Sequence, residues 1–223
     1  GANPNATRTT GVTPLMTAAR TGNIDAVGAL LTYGADVNTK ERSRHQTALM
    51  WAISETHSHV ASRLVDHGAD IHTITKSGFT PLLFAARVGD LATAKLLIDA
   101  GADVNVTAKD GNSVLHIATV QGHTEVAALL LDRGVNPNAD GPGYTPLHWA
   151  VGTWETELTG KYGIVTPPDH PWSKMTGVQE GKLQLVQKLL EHGADPNARL
   201  QKNPRRYGFT GRSTRPKGST PMA

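Results

Sequence analysis

Apolar positions near the start of the chain fall at helical spacing in two short runs. Leu15, Ala18 and Ala19 share one face of a first helix, and Ile24, Val27, Leu30 and Leu31 share one face of a second. Thr13-Pro14 opens the first run, because a Thr hydroxyl caps free backbone N–H groups and Pro suits the first helical position. The small alanines let the second helix approach closely. Gly22 breaks the chain between the runs, and Gly34 stands just past the second, where a left-handed residue closes the last turn. A stretch such as Ala102-Asp103-Val104-Asn105 through Lys109-Asp110-Gly111 is turn chemistry suited to a tight hairpin finger.

The same pattern returns along the chain. Thr13-Pro14-Leu15 is followed by Thr47-Ala48-Leu49, Thr80-Pro81-Leu82, Ser113-Val114-Leu115 and Thr145-Pro146-Leu147, at intervals of 34, 33, 33 and 32 residues, and later by Thr220-Pro221-Met222. A second marker keeps step: Gly34-Ala35-Asp36, Gly68-Ala69-Asp70, Gly101-Ala102-Asp103, Gly134-Val135-Asn136 and Gly193-Ala194-Asp195. Two markers in one register specify an internal repeat. One helix pair cannot bury its own apolar face, whereas stacked copies can. The expected fold is all-α, a solenoid of stacked antiparallel helix pairs with short β-hairpin or turn fingers. The units fall at about 13–46, 47–79, 80–112, 113–144 and 145–219, with partial units at 1–12 and 220–223, in a single array over 1–223. The partial units suggest a fragment of a longer array.

These residues resemble the ankyrin repeat. The likeness rests on Thr-Pro-Leu-His-Trp-Ala at 145–150, Gly-His-Thr-Glu-Val at 122–126 and Leu-Leu-Ile-Asp-Ala-Gly-Ala-Asp-Val-Asn at 96–105. It implies a right-handed stack with fingers along one edge, and a non-catalytic role in protein–protein interaction. Arrays with long insertions are also similar to bacterial ankyrin proteins.

Two insertions interrupt the rhythm. The Gly markers at 134 and 193 are 59 residues apart, and the surplus falls at about 152–181, between the two helices of the fifth unit. It carries Trp154, Tyr162 and Trp172, and Pro167, Pro168 and Pro171 exclude a regular helix there. An ordered decoration folded back on the stack and a recognition loop are both open readings. The second insertion, at about 200–218, enlarges one finger and sets Tyr207 and Phe209 among Arg205, Arg206 and Arg212. A solvated loop, a contact with an acidic protein patch and a nucleic-acid contact all fit that composition.

Charge sharpens this picture. Residues 199–223 hold seven Lys and Arg and no acid; the remaining 15 bases face 19 acids, so the body carries a net −4 although the whole chain is +3. Such a body is not a uniform nucleic-acid surface. The first four fingers carry Arg8, Arg42, Lys76 and Lys109 near their tips, a basic edge that favours an acidic or phosphate-bearing partner.

The residue after each Thr-Pro-Leu-x start is Thr17, Trp51, Phe84, Ile117 and Trp149. Read as a row on the concave side, it is an apolar stripe of hot-spot residue types. Read otherwise, these side chains pack between neighbouring repeats and only edge into the groove. The candidate partner-binding residues are thus Trp51, Phe84, Ile117, Trp149, Arg8, Arg42, Lys76, Lys109, Tyr144, Trp172, Arg205, Arg206 and Tyr207. The expected partner is a protein or peptide bound by a monomer. Nucleic acid at residues 199–217, or a purely structural segment, is the alternative.

Other chemistry finds little purchase. The chain has no cysteine, which removes disulfides and thiol catalysis. His116 and His148 occupy the Thr-Pro-Leu-His position, where the ring usually bonds to backbone, and His57 and His123 follow the helix break; a zinc site needs three or four converging ligands. Gly177 through Lys182 is one residue short of a phosphate loop, and Leu183 stands where Ser or Thr must meet magnesium. No enzymatic activity, cofactor or membrane segment is expected.

Overall fold

The structure is a computed structural model that describes residues 2–151 and 179–201. It falls into two compact units, Gly1–Lys109 and Asp110–Ala223. Within the first, helices α1 (Pro14–Arg20), α3 (Ala48–Ser54) and α5 (Pro81–Val88) form one row, and α2 (Ile24–Thr32), α4 (Ser58–Asp66) and α6 (Leu91–Asp99) form the other. Each first-row helix packs on its own partner and on its neighbour in the row. Leu15, Met16, Leu49, Met50, Ile53, Leu64, Leu82, Leu83 and Leu97 are fully buried between them. Within the second unit, α7 (Val114–Gln121) packs on α8 (Thr124–Asp132) and α9 (Pro146–Val151), and α10 (Gln179–Glu191) closes on α8 and α9.

Local chemistry explains each element. The hydroxyls of Thr13, Thr47, Thr80 and Ser113 accept from Met16, Met50, Leu83 and His116 amides, as the cap reading requires. Second-row helices end in one motif: the amides of Ala35, Ala69 and Ala102 donate back to Leu30, Leu64 and Leu97 carbonyls at 2.9–3.0 Å, past a left-handed Gly. The corners beyond them are stitched by asparagine. Asn5 gives its amide to Gly34 O at 3.0 Å and takes the Asp36 N–H at 2.8 Å, and Asn38 does the same to Gly68 and Asp70.

The interruption leaves this frame intact. Asn138 reaches across its insertion to Gly193 O at 2.7 Å and to the Asp195 N–H at 2.7 Å, and Lys188 on α10 meets Asp132 on α8 at 2.9 Å. The helix starts at 179, a little before the expected end of the insertion, so the stretch that resembled a phosphate loop is partly helical. Residues 152–178 and 202–223, including Trp172, Arg205, Arg206 and Tyr207, lie outside the described residues. Among the described residues no helix is long and apolar enough to cross a membrane.

Candidate partner-binding surface

The fingers of the first unit are turns of a few residues, each tied to the one before it. Arg8 N–H bonds Val12 O, Glu41 N–H bonds Gln46 O and Thr75 N–H bonds Phe79 O, closing each loop at 2.9–3.1 Å. Across fingers, Arg42 N–H donates to Thr10 O at 2.9 Å, Lys76 N–H to Arg44 O at 3.0 Å and Lys109 N–H to Ser77 O at 3.4 Å. The donating residue is a cation every time. Arg8, Arg42, Lys76 and Lys109 are all exposed; the bonds between fingers set Arg42, Lys76 and Lys109 at one register, and Arg8 stands one position earlier, where the other fingers have Glu41 and Thr75. Arg42 Nη1 also caps Thr9 O at 3.1 Å, and Lys76 Nζ caps Arg42 O at 2.6 Å.

The second finger departs from the others. It is one residue longer, and that residue allows it to wrap around Glu41. The carboxylate, 4% exposed, accepts the Ser43, Arg44 and Gln46 amides at 2.6, 2.6 and 3.1 Å. Burial pushes this carboxyl up, but the three amides and the Lys76 charge outweigh burial and hold it below the usual glutamate range. The acid of this finger is thereby turned inward, while Lys40, Arg42, Arg44 and His45 stay exposed. His45 holds φ 61°, the conformation that Gly11, Gly78 and Gly111 hold at the matching place in their fingers.

The apolar row lies deeper than an open stripe requires. Phe84, Ile117 and Trp149 are 3%, 9% and 4% exposed, Trp51 is half-buried, and only Thr17 is open. Position in the repeat explains this. Thr17 lines a groove of about 560 Å³ on the side of α1 facing away from α3, together with Thr13, Ala18, Ala26 and Leu30. Trp51, at the same position on α3, instead meets the first repeat, with the Arg20 guanidinium 5.3 Å from its ring. Trp51 thus faces the preceding helix pair within the first unit, and packing between repeats describes it better than an exposed stripe. Phe84 is further covered by an edge contact with Phe79 at 5.5 Å and by the Arg87 guanidinium at 4.6 Å.

Tyr144 is also inside, at 6% exposure, and its expected place on the surface is corrected accordingly. Its carbonyl takes the His116 Nε2–H at 2.7 Å, and its ring lies edge-on to His116 and 6.0 Å from Trp149. The other side of the His116 ring accepts from the Ser113 amide and hydroxyl, at 3.3 and 2.8 Å. Enclosure drives its pKa down to about 4, so the ring is a neutral strut. His148 accepts from Thr145 in the same way, and His57, His67 and His192 bond backbone carbonyls at Arg20, Arg63 and Lys188. Among the described residues no three His, Cys, Asp or Glu converge as metal ligands.

Two exposed arginines were missed from the sequence. Arg20 and Arg87 end α1 and α5, where they lie over Trp51 and over Phe79 and Phe84. Their separation of 67 residues, two periods, was the available signal.

Residues 1–75, 40–108 and 82–158 match the family described as "Ankyrin repeats (3 copies)", and residues 142–200 match "Ankyrin repeat". Ankyrin repeat and ELMO domain-containing protein D of Dictyostelium discoideum is 45% identical over 58 residues, 26% of this chain and 5% of that protein. Ankyrin repeat and SAM domain-containing protein 6 of Rattus norvegicus is 37% identical over 70 residues, 31% of this chain and 8% of that protein. Palmitoyltransferase ZDHHC17 of Danio rerio is 38% identical over 72 residues, 32% of this chain and 12% of that protein. The chain thus spans a small part of each. All three are eukaryotic and lend no support to the bacterial likeness.

Proposed function

This chain belongs to the ankyrin repeat family, and from that premise we propose that it is a non-catalytic module holding a protein or peptide along the finger edge of its first unit. Ankyrin repeats generally serve protein–protein interaction. The observation that carries the reading is the run of exposed cations Arg42, Lys76 and Lys109, fixed by hydrogen bonds from finger to finger, with Glu41 of the second finger folded inward. A rigid row of like charges is unfavourable by itself and is relieved by an acidic partner, which it also steers electrostatically. The half-buried Trp51 under Arg20 offers an amphipathic anchor beside the edge.

The test is an affinity capture from a lysate of the source organism, analysed by mass spectrometry. Three baits are compared: the native chain, Arg42→Glu with Lys76→Glu, and Trp51→Ala, each checked by thermal melt. A protein held by the native chain and lost with the charge-reversed bait supports the finger edge. Equal capture by all three baits contradicts it.

A further inference from the structure

The fingers of the first unit are keyed to one another at a fixed step. Each bond from Arg42, Lys76 and Lys109 to the preceding finger is made by the backbone of the cationic residue itself, so one cation recurs per repeat. Packed helices stand about 8–10 Å apart, and that distance sets the step from tip to tip. An extended chain advances about 3.3 Å per residue, and a polyproline II helix about 3.1 Å with three residues per turn. Three residues of such a chain therefore cover about 9–10 Å, one step of the edge.

Resting on the reading of the finger edge as a contact surface, we propose that the first unit binds an extended acidic peptide carrying a carboxylate at every third position. One carboxylate meets each of Arg42, Lys76 and Lys109. The second finger is the strongest point, because Arg44, His45 and Lys40 add exposed donors around Arg42. The acid of the second finger does not compete, since Glu41 is enclosed and its oxygens take three amides of its own loop. A B-form duplex lays down a charge every ~1.7 Å of axis, far denser than one cation per repeat. The peptide is the better match in charge spacing.

The measurement is fluorescence anisotropy on the full chain with three probes of about twelve units: a peptide with Glu at every third position among Pro and Ser, a peptide of the same composition with its Glu in one block, and a single-stranded oligonucleotide. The spaced peptide should bind at least tenfold more tightly than the blocked one. Lys109→Glu should weaken the spaced peptide severalfold with the melting temperature unchanged; Lys76→Glu, which also loses the cap on Arg42 O, should weaken it by a similar factor and lower the melting temperature. Equal affinity for the two peptides, both weakened by charge reversal, overturns the spacing and leaves the finger edge as a contact surface. Tighter binding of the oligonucleotide overturns the peptide as occupant. Binding that neither charge reversal alters removes the edge itself, and with it the reading on which this proposal rests.

Discussion

Thr56 holds φ 58° at the break between α3 and α4, where Gly22, Gly89 and Gly122 hold the same left-handed conformation in other repeats. A β-branched residue is strained there by about 1–2 kcal/mol, partly offset by the freedom glycine adds to the unfolded chain. Thr56→Gly should therefore raise stability by about 1 kcal/mol, read as a higher urea midpoint. His116 gives a pH signature. Its folded pKa, pushed down to about 4 by burial, lies below the ordinary 6.5, so the folded state binds fewer protons than the unfolded. Its contribution is complete above pH 6.5, is lost as pH falls from 6.5 toward 4, and changes no further below that. The depth of the loss is about 3 kcal/mol. Denaturation series from pH 7 to 4 should show this slope, and His116→Asn should flatten it. Glu41 has the same sign in a lower window: its stabilisation fades as pH drops through the region below the usual glutamate value. Glu41→Gln should cost about 1–3 kcal/mol and loosen the second finger, seen as faster amide exchange at 43–46.

Between elements, backbone meets backbone with little room. A Cβ on Gly111, which holds φ +84°, would stand 2.8 Å from the Gly141 carbonyl carbon of the next finger. Backbone cannot swing aside, so Gly111→Ala should cost about 2 kcal/mol or more, measured by thermal melt. The repeat was legible at this scale because its signals are local: hydroxyl caps, left-handed glycines and the Gly-Ala-Asp corner each act within a few residues and recur. Partners in the next copy were less legible. The asparagine bridges of Asn5, Asn38 and Asn138 pair residues one or more repeats apart. His72 stands at the asparagine position between two of them, and among the described residues no bond joins it to the Gly101–Asp103 corner. The apolar row failed as an exposed stripe for the same reason: whether Phe84 or Trp149 is open depends on what the adjoining elements place over it. Glu41 reads as an ordinary charged tip residue until the extra residue of its finger folds the loop around it.

At the scale of the molecule, charge is sorted by position within the repeat. In the first unit acids gather at the corners and second-row helices, as Asp36, Asp70, Asp103, Asp66 and Asp99, while most cations take the finger tips and the ends of α1 and α5, Arg63 and Lys95 on α4 and α6 being the exceptions. The basic edge was legible in the sequence because the period itself places Arg42, Lys76 and Lys109, each eight residues after the glycine of its corner. Its rigidity was not, since it rests on hydrogen bonds between fingers. The most direct test of that edge as the contact surface is hydrogen–deuterium exchange on the full chain with and without the spaced acidic peptide at saturation. Slower exchange confined to 8–12, 41–46 and 75–79 in the first unit is the predicted result. Protection confined to α2, α4 and α6, with the finger amides unchanged, would contradict it.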